Sequence, residues 1–253
     1  MTAELSYAIS ARWGRRLETP QALAERLSRL IQQLQGIAPI LAHWYDWQSE
    51  TCVVPLDLSL PSLAAEIAEN PVEKAAGRLR GRTGYHFSTV NNDRGERGPR
   101  GIELHFMAGS EIWHSHLVLS TNYGFVADPD IVTYEIFKSA VIAISECFEA
   151  AYCDAFSSDL MDLWPERQRG MDALRLAWIS YVSPEGAARV IPPATAIVDQ
   201  RPNGGLLLAA TDETFVARNP HHLAVASDIL AAVAPLNADP WPNEPRESWE
   251  WRH

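Results

Sequence analysis

The stretch Tyr7-Ala-Ile-Ser-Ala-Arg-Trp-Gly-Arg-Arg-Leu-Glu-Thr-Pro20 decides the fold class. Leu5, Tyr7, Ile9 and Ala11 alternate with Glu4, Ser6, Ala8 and Ser10, and a period of two predicts a half-buried strand from Leu5 to Arg12. After Trp13-Gly14 the pattern changes. Thr19 suits a helix cap, and Pro20 suits a first helical turn. Leu23, Leu27, Leu30, Ile31 and Leu34 then recur at helical spacing, with Arg26, Arg29 and Gln33 outside, and Gly36 is the expected stop. This helix is expected to lie along the sheet that the first strand begins.

Outward from there, Leu41 to Trp47 reads as extended. Helices are predicted from Leu60 to Asn70 and from Pro71 to Leu79. Tyr85 to Asn91 is a strand, and Ile102–Met107 with Trp113–Ser120 is a hairpin. Thr133 to Phe156 is the longest helix, apolar on more than one face through Ile136, Ala140, Ile144, Cys147 and Ala151, and therefore central. Leu174 to Val182 is a strand, and Ser183-Pro184 opens a short helix. Ala194–Gln200 and Leu206–Ala210 form a hairpin around Asn203-Gly204-Gly205, and a last helix runs from Asn219-Pro220 to Leu236. Strand, helix, strands, helix recurs in both halves. The expected class is α+β, with mostly antiparallel sheets packed against helices. The halves read as two similar modules, 1–157 and 158–253, the second ending in a tryptophan- and proline-rich tail, or as one continuous domain.

The chain has 253 residues, 47% of them hydrophobic, enough for a sizeable core. Without a run of about 18 apolar residues, no membrane span is expected. Met-Thr-Ala-Glu-Leu-Ser does not read as a signal peptide, so a cytoplasmic location is the expectation. A monomer is favoured. Cys52, Cys147 and Cys153 are too scattered for a disulfide framework or zinc site and read as small core hydrophobes. A net charge of −11 repels nucleic acid phosphates and suits a basic protein partner, though it also serves plain solubility.

Chemistry is sparse. His114 and His116 would share one face of a strand, and His105 with Asp128 or Asp130 could complete a three-ligand metal site for a hydrolase. Histidines on a strand are more often half-exposed sheet residues, and Asp128-Pro129-Asp130 reads first as a turn. His221-His222 diverge on a helix and read as structural. Glu66, Glu69 and Glu73 read as a solvated face. No nucleophile elbow, reactive-cysteine context or zinc-protease motif occurs. No catalytic residue, metal or cofactor is therefore expected. Of the nine tryptophans, Trp13, Trp44, Trp47, Trp113 and Trp178 read as core. Trp241, Trp249 and Trp251 share the tail with Glu244, Glu247 and Glu250. That tail either wraps its own domain or grips a partner, since tryptophan is enriched at binding hot spots.

Several stretches resemble the immunity protein 52 family: the strand leading to Trp13-Gly14-x-Arg16, Glu18 and a leucine-rich helix; Tyr181-Val182-Ser183-Pro184; the Asn203-Gly204-Gly205 hairpin; and Asn219-Pro220-His221-His222-Leu223. The resemblance covers nearly the whole chain. It implies a non-catalytic antidote, encoded beside a polymorphic toxin of the kind delivered by type VI secretion. Such toxins often carry a restriction-endonuclease-like nuclease domain, and the antidote binds its toxin in the cytoplasm. The family supplies no catalytic residues. Beside it, Gly14 is read as a tight exit from the strand, Trp13 as packing over the sheet, and Arg16 as pairing with Glu18 or a buried acid. The expected toxin contacts are Asp128 and Asp130 together with the acidic aromatic tail. The competing expectations are the metal-dependent hydrolase and a non-catalytic acidic scaffold.

Overall fold

A computed structural model describes residues 5–49, 52–72, 82–94, 97–122, 124–164 and 174–238. The opening strand, β1 (Tyr7–Trp13), sits deep inside a sheet instead of on its surface. It pairs antiparallel with β6 (Ser115–Thr121) on one side and β7 (Tyr152–Ser157) on the other. Both of its faces are buried, including Ser10 and Arg12, where alternation predicted a wet face. A strand with neighbours on both edges and covering layers on both faces has no solvent side, so polar alternation there records an internal polar layer.

The remaining strands are β2 (Tyr45–Ser49), β3 (Cys52–Pro55), β4 (Thr83–Val90), β5 (Ile102–Ser110), β8 (Ile179–Val182), β9 (Ile197–Gln200) and β10 (Leu206–Ala209). All join one ten-stranded sheet in the order β3-β2-β4-β5-β6-β1-β7-β8-β10-β9, with antiparallel pairing throughout. The predicted α+β class is the observed one. The β7–β8 pairing carries the sheet across residues 157 and 158.

α1 (Pro20–Ile37) opens as predicted, with the Thr19 hydroxyl accepting from the Ala22 amide at 3.2 Å. It runs through Gly36 and stops at Ala38, which precedes Pro39 and is extended. A proline disfavours helical backbone in the residue before it, so Pro39 overrides Gly36 as the stop. α2 (Leu60–Glu69) matches its expected span. Of the helix expected over 71–79, residues 73–79 lie outside the described residues, and Pro71 bridges to Tyr85.

The largest correction concerns residues 133–156. α3 (Tyr134–Phe148) ends early, Glu149 turns left-handed at φ 51°, and β7 begins at Tyr152. An apolar run in which both periods fit cannot be assigned locally. The slot between β1 and β8 decides in favour of a strand, and Cys153 lies in the sheet, not on a helix. β8 is also shorter than its expected span, covering only the end of Leu174–Val182.

Short helices α4 (Ser158–Met161) and α5 (Pro184–Ala187) and the final helix α6 (Pro220–Val233) complete the fold. Ser183 and Asn219 cap α5 and α6 as read from sequence. α1, α2 and α3 cover one face of the sheet, burying Ile9, Ala11, Leu104, Phe106, Leu117 and Ile144. On the other face, α6 and the segments 158–164 and 174–176 cover the β7–β10 half. His86, Ser88 and His105, on β4 and β5, remain exposed on that face. Cys147 and Cys153 are buried, whereas Cys52 is exposed at the sheet edge, against expectation. Trp113 is also exposed, because it falls in the β5–β6 turn instead of on a strand.

Candidate functional site

β1, β8 and β9 all end, and β6, β7 and β10 all begin, at the same end of the sheet. The loops there bring together three stretches far apart in sequence: Trp13–Arg16, Tyr181–Glu185 and Asn203. With Ser145, Glu146 and Glu149–Ala151 they enclose a cavity of about 480 Å³.

One wall is built by β1 and α3. Trp13, 3% exposed, packs its ring 5.2 Å from that of Phe148, and the Arg16 guanidinium lies 5.8 Å over the Trp13 ring. Arg16 pairs with Glu18 at 3.1 Å and with Glu149 at 2.9 Å. Arg26, from α1, repeats the same two pairings at 2.8 and 3.0 Å. Glu18 has a side-chain exposure of only 6%, so two guanidiniums compensate a carboxylate that burial alone would disfavour. Arg16 also donates to the Phe148 carbonyl, and Arg26 and Arg29 donate to that of Cys147. These are the last carbonyls of α3, where the helix dipole favours cations. The network therefore ties the β1–α1 loop to the end of α3. Gly14 takes no left-handed conformation and lines the cavity directly.

The opposite wall comes from the second half of the chain. Gly204 has φ +89°, and a Cβ on Gly205 would lie 2.6 Å from the Tyr181 hydroxyl, so the turn needs glycine twice. Asn203 accepts from the Gly205 amide at 2.8 Å and reaches the Tyr181 hydroxyl at 3.4 Å. Burial pushes the Tyr181 phenol pKa up. Arg201 holds Glu146 at 3.3 Å.

The two serine hydroxyls that line the cavity serve the backbone. Ser145 donates to the Val141 carbonyl at 2.7 Å, and Ser183 accepts from the Gly186 amide at 3.5 Å. Burial raises the thiol pKa values of Cys147 and Cys153. Among the described residues, neither serine hydroxyl is hydrogen-bonded to a histidine or carboxylate, the pairing that activates a hydroxyl nucleophile.

The residues predicted as metal ligands are scattered. His105 and His116 face each other edge-on, with centroids 6.2 Å apart, but β6 starts at Ser115, so His114 lies outside the strand alternation. Desolvation lowers the pKa of His116 to about 4, with His105, His86 and Arg175 adding to the effect; the pKa of His105, whose side chain is still open to solvent, is lowered by the desolvation of its covered part against the pull of Glu103. Asp128 is near the start of β1, at the far end of the sheet, where its carboxylate pairs with Arg100 at 2.6 Å and caps the Asp130 amide at 2.9 Å. Among the described residues, no group of three histidine, cysteine or acidic side chains is placed to hold a metal ion. His222 is buried and accepts from the Val216 amide at 3.3 Å, as its structural reading expected. Glu66 meets Asp46 rather than only solvent, while Glu73 lies outside the described residues. The tail residues Trp241, Glu244, Glu247, Trp249, Glu250 and Trp251 lie outside them too.

Sequence reasoning missed Glu149, which it placed inside a continuous helix. It also missed the convergence of Trp13, Tyr181 and Asn203. Only the recurrence of all three in the family-like stretches hinted at a shared location.

Residues 5–236 match the profile of the family described as Immunity protein 52. No curated protein matches the chain. Among solved structures, Pseudomonas aeruginosa T6SS protein PA0821 is similar over 90% of this chain and 73% of its own length, with 12% identity and a TM-score of 0.51. At that identity the likeness is one of fold.

Proposed function

The chain belongs to the immunity protein 52 family, and from that premise we propose that it binds a cognate toxin and neutralises it without turnover of its own. The observation that carries this reading is the extent of the family match, which takes in every described strand and helix. The site agrees with it. The cavity mixes apolar lining with acidic groups, and its two serine hydroxyls are committed to backbone bonds, which suits recognition more than chemistry.

We further propose that the toxin is a type VI secretion effector with a nuclease domain, met in the cytoplasm. The shared fold with a T6SS protein supports the first part. The net charge of −11 supports the second, because a nuclease groove is basic and opposite charge speeds association. No described helix is long and apolar enough to cross a membrane. The tail with Trp241, Trp249 and Trp251, and the turn at Asp128 and Asp130, are proposed as auxiliary contacts.

The test is co-expression with the product of the adjacent gene, read by growth and by affinity pull-down. Restored growth and a stable complex are the expected results. A toxin that still kills in the presence of abundant, folded chain would sink the proposal.

A further inference from the structure

We infer that the toxin docks on the loop end of the sheet around this cavity, and that it is a basic protein placing a cationic side chain in the cavity and apolar side chains over Leu17 and Trp113. The inference rests on the immunity reading and adds the surface and the chemistry of the partner.

Two large apolar side chains stand in water beside the cavity. Leu17 is 57% exposed and Trp113 47%. They come from segments bonded to each other: the Arg16 amide donates to the Ser110 carbonyl at 2.8 Å and the Glu18 amide to that of Gly109. The Ser110 hydroxyl in turn accepts from the Ile112 and Trp113 amides at 2.9 and 2.8 Å. Trp113 is thus held out on a braced turn. An exposed tryptophan held in this way costs little ordering on binding and is the residue type most enriched at hot spots.

The cavity adjoins this pair through Trp13–Arg16. Its volume of about 480 Å³ is in the range of built ligand pockets, ~300–1,000 Å³. Glu146, Glu149 and Glu185 line it against Arg15 and Arg16, and Arg16 is already engaged by Glu18 and Glu149. Three carboxylates and two guanidiniums thus line it, on a chain whose net charge is −11. An arginine or lysine entering it would find carboxylates fixed in position by Arg16, Arg26 and Arg201. A cation paired with carboxylates beside an exposed tryptophan and leucine is a combination that gives both speed and affinity to an interface.

The experiment uses the full chain and the purified product of the adjacent gene. Binding is measured for the wild type, Trp113→Ala, Leu17→Ser, Glu185→Arg and, as a control at the opposite end of the sheet, Asp93→Arg. Hydrogen exchange is followed on the wild-type complex. The expected result is a loss of at least about tenfold for the first three variants, near wild-type binding for the control, and new protection over residues 14–18, 110–114 and 183–186. Wild-type affinity in all three folded rim variants, or protection confined to other surfaces, overturns the docking site while the immunity reading stands. A wild type that does not bind removes that reading and this inference with it. If a rim variant does not fold, the exchange pattern of the wild-type complex decides alone.

Discussion

Arg12 and Arg16 leave the same strand four residues apart and end in opposite environments. Arg12 is 1% exposed and pairs with Asp154 inside the sheet, beneath the segment that brings Arg175. Burial raises the Asp154 carboxyl pKa, and the two guanidiniums oppose it. Arg16 is 30% exposed and shares its charge with Glu18 and Glu149 at the cavity mouth. In the interior an uncompensated charge is very costly, so removing one partner matters more than the pair is worth. At the mouth, water substitutes for a lost partner, and the network mainly fixes loop geometry. The difference separates residues that keep the chain folded from residues that shape what it presents.

Breaking the inner pair should have the largest effect. Arg12→Ala leaves Asp154 buried beside one guanidinium and should cost about 3–5 kcal/mol in urea unfolding. A cost below about 1 kcal/mol would mean that Arg175 or water replaces Arg12, and the contrast with Arg16 would collapse.

A pH titration sharpens the same contrast. His116 pairs in register with Arg12, and its folded pKa of about 4 lies below the usual 6.5. A histidine with a depressed pKa binds its proton better in the unfolded chain, so stability is present above pH 6.5 and is lost as pH falls toward 4. Between pH 7.5 and 5 the loss from this residue is on the order of 2 kcal/mol. His116→Gln should flatten the melting-temperature profile across that window, and a profile as steep as wild type would assign the slope to other groups.

At the mouth the effects are smaller. Glu149 holds a left-handed backbone, a conformation that costs a non-glycine residue about 1 kcal/mol. Glu149→Ala and Glu149→Gly lose the same ion pairs, so the glycine variant should be more stable by about that amount in parallel melts. Arg16→Ala should cost about 1 kcal/mol or less, and the cost should shrink at high salt. A salt-independent loss would place Arg16 with the interior group after all.

An effect of opposite sign, a gain instead of a loss, is expected at the sheet edge, where Glu66 meets Asp46 and Glu69. Burial and these neighbours raise the Glu66 pKa to about 7. A carboxyl with a raised pKa favours the folded state at low pH and weighs against it as pH rises through 7. Glu66→Gln should therefore gain melting temperature relative to wild type at pH 8 and show little difference at pH 5.

Much of the fold was legible because its signals are local. The Thr19, Ser183 and Asn219 caps, the Asn203-Gly204-Gly205 turn and the β5–β6 hairpin each depend on a few adjacent residues. Their chemistry is satisfied by near neighbours in any context, so sequence sufficed. The same holds for the class, since helices fall between runs of hairpin-linked strands, the pattern of α+β. The family resemblance, too, was carried by residues that the sequence displays outright.

What only the tertiary structure decided depends on partners distant in the chain. β1 looked half-exposed because Ser10 and Arg12 are polar, yet their partners are Asp154 and the covering segments far along the chain. Residues 149–156 read as helix, and became a turn and a strand because β1 and β8 offered hydrogen bonds on both edges. Trp113 read as core and stands at the surface because its neighbours close a turn there. The cavity has no sequence signature: Trp13, Tyr181 and Asn203 meet only where the strands that carry them end side by side. Local pattern fixes how a backbone segment is inclined to run, while long-range pairing and burial fix which face is dry and which side chains meet.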